Sequence, residues 1–414
     1  MPAPTVTTSP RSTLQVVLRT QLYRRSLVSL FFAGLGMSVA MPQLSLFLVQ
    51  ELHASLPVAG LFFLTNLAAP VLGFWVGRRS DRMADRLSLF RVGAVVGLVG
   101  WGVMAFTTQV WMAFAINLTV LGFAGATGSL IFAAVRDQLT HVPTGADNRV
   151  MSTVRLGFSL GFMTGPLVGS VLGGVIGLRL TLAAAGVCTV LQALPMIGQT
   201  VARALPEDVV TSDGHAPQPG SHRSSLVPLV AFLSLSVLAM CGDTIRFAYL
   251  PIYMELQLGT PDWLRGVVIS AQSVSMLVFI PVMGALADRF GAHRLVVVNV
   301  LLGVAANLGF AVADSELVLI AATVLNAAMW ATLGGIGITV AQDLYPEGIG
   351  MASSLYFSAI RFSAAIGGVA GGLGVGWFGV PGVFVVPAVL CVVAAVGLVF
   401  QGAARHRALA GTAP

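Results

Sequence analysis

The sequence predicts an all-α membrane protein of twelve transmembrane helices in two six-helix bundles. Three observations carry this. Mean hydropathy is +0.90, with 56% of residues hydrophobic and 9% charged, against about 25% charged in soluble domains. Apolar runs long enough to span a bilayer, about 20 residues each, recur along the whole chain. Finally, Gly77-Arg78-Arg79-Ser80-Asp81-Arg82 returns as Gly284-Ala285-Leu286-Ala287-Asp288-Arg289, an offset of 207 (284 − 77) in 414 residues.

Each element follows from its apolar run and the polar residues that end it. A Pro/Thr/Ser-rich stretch without an apolar core, Met1–Thr20, reads as an unstructured part of a tail over 1–26. The first bundle, 27–202, takes spans near Leu27–Val49, Pro57–Gly77, Leu89–Phe106, Val110–Ala134, Val150–Gly174 and Leu180–Val201. Residues 203–225 hold acids, prolines and histidines and read as a linker. The second bundle, 226–402, takes Leu226–Met254, Leu264–Leu286, Leu295–Ala313, Leu317–Ala341, Met351–Val375 and Val380–Phe400, leaving 403–414 as a tail.

All 22 basic residues are arginine. Seventeen fall in the tails and even-numbered loops, and only Arg179 and Arg265 in the odd-numbered ones. By the positive-inside rule both termini are expected in the cytoplasm, so the net charge of +6 reports topology. No basic, aromatic-interleaved patch points to nucleic acid. A chain without lysine cannot hold a Gly-x-x-x-x-Gly-Lys phosphate loop, and no soluble lobe could house an enzyme. Cys188, Cys241 and Cys391 lie in apolar spans without ligand spacing, so neither metal nor cofactor is expected. Two tandem six-helix units are how secondary transporters frame a midplane site. The expected partners are protons, a small-molecule substrate and the bilayer, and the expected state is a monomer.

Four groups of residues are candidates for function. The repeated loops contribute Gly77, Asp81 and Asp85, then Gly284 and Asp288. They resemble the G-x-L-A-D-R-x-G-R loop of the major facilitator superfamily, in which the glycine admits a close helix contact and the aspartate faces arginines as a cytoplasmic lock. Asp85 stands where that pattern has arginine, so a reversed partner is expected, with Arg136 as the candidate. In the fifth span Gly161-x-x-x-Gly165-Pro166-x-x-Gly169 resembles the antiporter motif of proton-coupled exporters. Glycine at every fourth position makes a groove for another backbone, and the proline kinks the helix. Such a helix is expected to seal the carrier against proton leak.

Charge at membrane depth is functional by default. Asp243 and Arg246, three apart on one face of the seventh span, and Arg361 in the eleventh form the expected coupling set. The expected substrate contacts are Gln43, Asn66, Asn117, Tyr249, Gln272, Asn326, Trp330 and Tyr356. Singly, each suits interhelical packing. Together, amides beside aromatic faces suit a polyhydroxylated, uncharged ligand.

Met41-Pro42-Gln43-Leu44-Ser45-Leu46-Phe47-Leu48, Gly60-Leu61-Phe62 with Asn66, Arg79-Ser80-Asp81 with Asp85-Arg86, and Gly335-Ile336-Gly337 followed by Gln342-Asp343-Leu344-Tyr345-Pro346 resemble the bacterial sugar efflux transporter family. That resemblance implies a twelve-helix inner-membrane carrier exporting sugars or glycosides by proton antiport. The Gly-Pro motif is shared with drug carriers, which makes a multidrug or antibiotic exporter the alternative.

Overall fold

The structure, a computed structural model, describes residues 10–83, 85–144, 146–201 and 225–410. Most of the expected linker, the first nine residues, Ala84 and the last four lie outside the described residues. Among the described residues, twelve helices are long and apolar enough to cross a membrane: α1 Gln21–Glu51, α2 Leu56–Ser80, α3 Arg86–Ala105, α4 Val110–His141, α5 Arg149–Ile176, α6 Leu178–Met196, α7 Val227–Leu256, α8 Asp262–Phe290, α9 Ala292–Val312, α10 Glu316–Leu344, α11 Met351–Gly382 and α12 Val385–Ala404. Several run a turn or more beyond their apolar runs, because polar residues at span ends keep helical hydrogen bonds in water as well as in lipid. α4 reaches His141 rather than Ala134 for this reason.

The unstructured N-terminal stretch expected from sequence is corrected. Pro10–Arg19 is a helix, with Thr13 and Val17, one turn apart, buried. Its terminal Arg19 complements the helix dipole. Composition hid the period of its apolar residues.

By contacts the chain falls into two compact units: Met1–Leu44 with Ala68–Ala216, and Ser45–Leu67 with Pro217–Pro414. The core of the first gathers Tyr23, Leu30, Phe90, Val135 and Val154. That of the second gathers Phe232, Met240, Val300, Met329, Tyr356 and Leu398.

Glycine stripes set the closest contacts in both units. In the first, a Cβ at Gly161 would press on the Phe31 carbonyl and lie 2.7 Å from the Leu35 nitrogen. At Gly165 it would meet the Ser38 hydroxyl, and at Gly169 it would come within 3.0 Å of the Val39 Cα. The groove read in α5 is therefore occupied by α1. In the second unit, a Cβ at Gly60 on α2 would lie 2.9 Å from the Gly372 Cα on α11, so those two backbones touch directly. α11 turns its other glycine face, Gly367 and Gly371, to α7.

Candidate functional site

The second unit holds a hydrogen-bonded polar cluster inside apolar helices. From α7, Arg246 directs Nε and Nη2 to Asp243 Oδ1 at 3.3 and 3.0 Å. The i, i+3 spacing places both on one face. From α8, Gln272 Nε2 donates to the same oxygen at 3.2 Å. From α10, Asn326 Nδ2 donates to Gln272 Oε1 at 3.1 Å. The Asn326 bond fixes the amide: with Oε1 taken by a donor, Nε2 must face the carboxylate. The Arg246 side chain is 1% exposed and that of Asp243 21%. Removing Asp243 would strand the buried guanidinium, at a cost of about 3–5 kcal/mol, whereas removing Arg246 leaves a carboxylate that is partly exposed and costs less. Trp330, one turn beyond Asn326, buries its indole N–H without a hydrogen-bond partner.

Arg361 does not join this cluster. It is exposed and carries no ion pair or hydrogen bond among the described residues. Depth along a helix is readable from residue count, but the face is set by packing, and Ser363 and Ala365 take the buried positions there.

The other expected substrate contacts are dispersed. Gln43 is buried in the α1–α5 seam of the first unit, donating to Ser170 Oγ at 3.3 Å. Asn117 opens a π-helical turn, Asn117–Leu121, and is partly buried, as is Asn66. Tyr249 is a packing post: its hydroxyl donates to the Leu56 carbonyl at 3.1 Å. Tyr356 donates to the Leu333 carbonyl and stacks on Phe232 at 6.4 Å. Both hydroxyls are engaged within the protein.

The repeated loop is built differently in its two copies. In the first, Asp85 caps the α3 N-terminus, accepting from Leu87 N at 3.0 Å, and pairs with Arg91 at 2.6 Å. Arg86 bridges Asp81 at 2.9 Å and Asp137 at 2.8 Å. The expected Asp85–Arg136 pair is therefore corrected: Arg136 is exposed, and it is its neighbour Asp137 that turns inward on α4. The capping role of Asp85 was available in the sequence, since an aspartate before a helical run is a strong N-cap signal. In the second copy Asp288 is exposed and has no ion pair among the described residues. The position 207 beyond Arg86 is His293 (86 + 207), whose Nε2 sits 3.0 Å from the Leu398 carbonyl. Nothing lies within 4 Å of where a Cβ would stand at Gly77 or Gly284. The close helix contact expected at these glycines is absent among the described residues.

A further network was not anticipated. Arg265, buried at the start of α8, pairs with both Glu255 and Asp262. Gln50 donates to the other oxygen of Glu255 at 2.7 Å. Arg179, the second arginine of the odd-numbered loops, donates to the carbonyls of Ala105, the last residue of α3, and of Thr107 just beyond it. Both exceptions to the arginine asymmetry thus have local acceptors.

Comparison with known proteins follows the same lines. A family model described as Major Facilitator Superfamily matches residues 26–266 and 231–413. Sugar efflux transporter A of Escherichia coli is 26% identical over 379 residues, covering 90% of this chain and 94% of that protein. Sugar efflux transporter B of Salmonella typhimurium is 25% identical over 356 residues, covering 84% and 87%. Among solved structures, the nucleoside transporter NupG matches with a TM-score of 0.73 at 14% identity, over 92% of this chain and 98% of that one. The peptide transporter POT in complex with sulfate matches with a TM-score of 0.73 at 14% identity, over 97% and 99%. At that identity the likeness shows the fold alone. Twelve apolar helices, a duplicated loop and a matching family model across nearly the whole chain make this a multi-pass membrane transporter, not an enzyme, and it belongs to the major facilitator superfamily.

Proposed function

We propose that the chain exports sugars or glycosides from the cytoplasm across the inner membrane by proton antiport with alternating access. The observation that carries this is the Asp243–Arg246–Gln272–Asn326 cluster. It is polar and buried yet has no net charge, which suits a neutral, hydroxyl-rich ligand better than a lipid or a charged metabolite. The relatives named as sugar efflux transporters point the same way. Asn66 and Trp330, in the same unit as this cluster, are further proposed contacts, and Gln43 and Asn117 are proposed polar contacts within the first unit. The proposed organisation keeps cytoplasmic termini, a bundle over 27–202 and a bundle over 226–402. The Asp81–Arg86–Asp137 bridge is the proposed cytoplasmic lock.

Charge balance moves the proposed coupling carboxylate away from Asp243. With Arg361 elsewhere, a proton on Asp243 would leave buried Arg246 without a counter-charge. A proton on Glu255 would leave Arg265 still facing Asp262, while the charge-assisted bond from Gln50 would weaken. Glu255 is thus the group that can load and release a proton without stranding a guanidinium.

A second reading has its own support. An apolar groove of about 410 Å³ in the second unit, lined by Leu64, Leu67, Phe362, Ile366, Val369 and Leu373, suits an apolar drug. Counterflow of labelled sugars and drugs in proteoliposomes, with and without a pH gradient, tests both. Exchange of drugs but of no sugar would refute sugar export.

A further inference from the structure

We propose that Asp243 and Arg246 act together as a charge filter in substrate recognition, admitting neutral vicinal diols and turning away sugar phosphates, sugar acids and amino sugars. This rests on the sugar-export reading above and adds the rule by which sugars are chosen.

The bonding inside the cluster is one-sided. Two nitrogens of Arg246 and the amide of Gln272 all converge on one oxygen of Asp243, Oδ1. Oδ2 of this partly exposed carboxylate takes no hydrogen bond among the described residues and is left for another donor. Arg246 Nη1 is buried and has no hydrogen-bond partner. The guanidinium carbon lies 4.3 Å from the Phe247 ring centroid, which occupies one face of the plane but satisfies none of the N–H groups in its edge. A fully buried arginine with an unused N–H beside a carboxylate with an unused oxygen is half of a binding site.

What completes it is set by donor and acceptor count. A hydroxyl both donates and accepts. One hydroxyl of a vicinal pair can donate to Oδ2 while its neighbour accepts from Nη1. A phosphate or carboxylate can accept from Nη1 only by standing beside the Asp243 carboxylate, and an ammonium can reach Oδ2 only by standing beside Arg246. In either pose the repulsion from the like charge offsets the attraction to the opposite one, so a charged group gains little from the pair while giving up its own hydration. Gln272 and Asn326 serve as positioning residues, since their relay holds the Asp243 carboxylate in place.

The test is competition at zero pH gradient. Purified full-length protein in proteoliposomes exchanges labelled methyl glucoside, with unlabelled methyl glucoside, glucose phosphate, glucuronate and glucosamine as competitors. Wild type is expected to favour the neutral competitor at least ~10-fold over each charged one. Asp243→Asn leaves an unbalanced guanidinium, so glucose phosphate and glucuronate should gain ~10-fold or more relative to methyl glucoside. Arg246→Gln should shift preference the opposite way, toward glucosamine. The double variant Asp243→Asn/Arg246→Gln carries no charge at this cluster and guards against misfolding of the singles. It should keep the neutral preference but bind methyl glucoside ~10-fold more weakly. Folded single variants with unmoved charge preference would overturn the filter while leaving sugar export intact. If the singles cannot be reconstituted, a double variant with wild-type affinity for methyl glucoside overturns it. Wild-type protein that exchanges no neutral sugar would remove the export reading and the filter with it.

Discussion

Gly161→Ala adds one methyl group where the α1–α5 seam is tightest against backbone, and its effect can be worked from the geometry. The new Cβ would press on the Phe31 carbonyl and stand 2.7 Å from the Leu35 nitrogen. Ordinary contact begins at 3.4 Å, so the helices must part by at least 0.7 Å (3.4 − 2.7). Both obstacles are backbone and cannot rotate away. Gly157, Gly165 and Gly169 hold the same face of α5 to α1 on either side, so a local tilt strains its neighbours. Overpacking of this kind costs about 1–3 kcal/mol, and a clash with rigid backbone belongs at the upper end. The gain in helix propensity, about 1 kcal/mol, offsets part of it. The expected net loss is roughly 2 kcal/mol. Gly77→Ala is the control, because nothing lies within 4 Å of its Cβ position; only the propensity gain of ~0.5–1 kcal/mol remains. Thermal unfolding of the purified variants in detergent should place Gly161→Ala well below wild type and Gly77→Ala at or above it. A Gly161→Ala protein as stable as wild type, beside a destabilised Gly77→Ala, would refute the assignment of the groove to α1.

Glu255→Gln should abolish pH-driven efflux while preserving counterflow, since exchange needs no net proton movement; full pH-driven efflux by folded variant protein would remove Glu255 from coupling. Arg86→Ala leaves the largely buried Asp137 without its partner and should cost about 1–3 kcal/mol, between the values for exposed and buried pairs, whereas exposed Arg136→Ala should unfold with wild type in the same melt. Asp81→Asn should slow turnover with substrate affinity within a few-fold, because only a conformational step is touched. Asp288→Asn, with no bridge to break, should turn over at the wild-type rate, and equal slowing by both would show the two copies to be equivalent. Reporter fusions after Arg223 and at the C-terminus should report cytoplasm and fusions near Asp314 the outside; a cytoplasmic Asp314 would overturn the topology.

The fold was legible because bilayer thickness acts on run length, a one-dimensional property. The Asp81/Asp288 repeat then gave the internal duplication without any knowledge of packing. The glycine period in α5 was legible for a similar reason: every fourth residue returns to one face whatever that face meets. Its occupant was not, and the seam proves to be with α1 inside the first unit. The N-terminal helix was missed because Pro, Thr and Ser dominate the composition of that stretch and mask the buried one-turn spacing of Thr13 and Val17.

Charged residues were found by position but paired wrongly, and the failures share a cause. Sequence places Arg136 and Asp137 in the same turn of α4 and gives no means to choose between them. The helix phase turns Asp137 inward and Arg136 outward, which converts an expected arginine partner for Asp85 into a carboxylate partner for Arg86. One position of phase, about 100° of helix rotation, decides the sign of the charge that meets the loop at the proposed lock. The same uncertainty placed Arg361 in the midplane cluster, when its face of α11 is exposed. Asp243 and Arg246 escaped it because their spacing of three within one helix fixes their relative direction internally. Charge pairs within a helix are therefore readable before the fold is known. Those between helices, such as Arg86–Asp137, wait on packing, and it is these that a moving carrier can make and break.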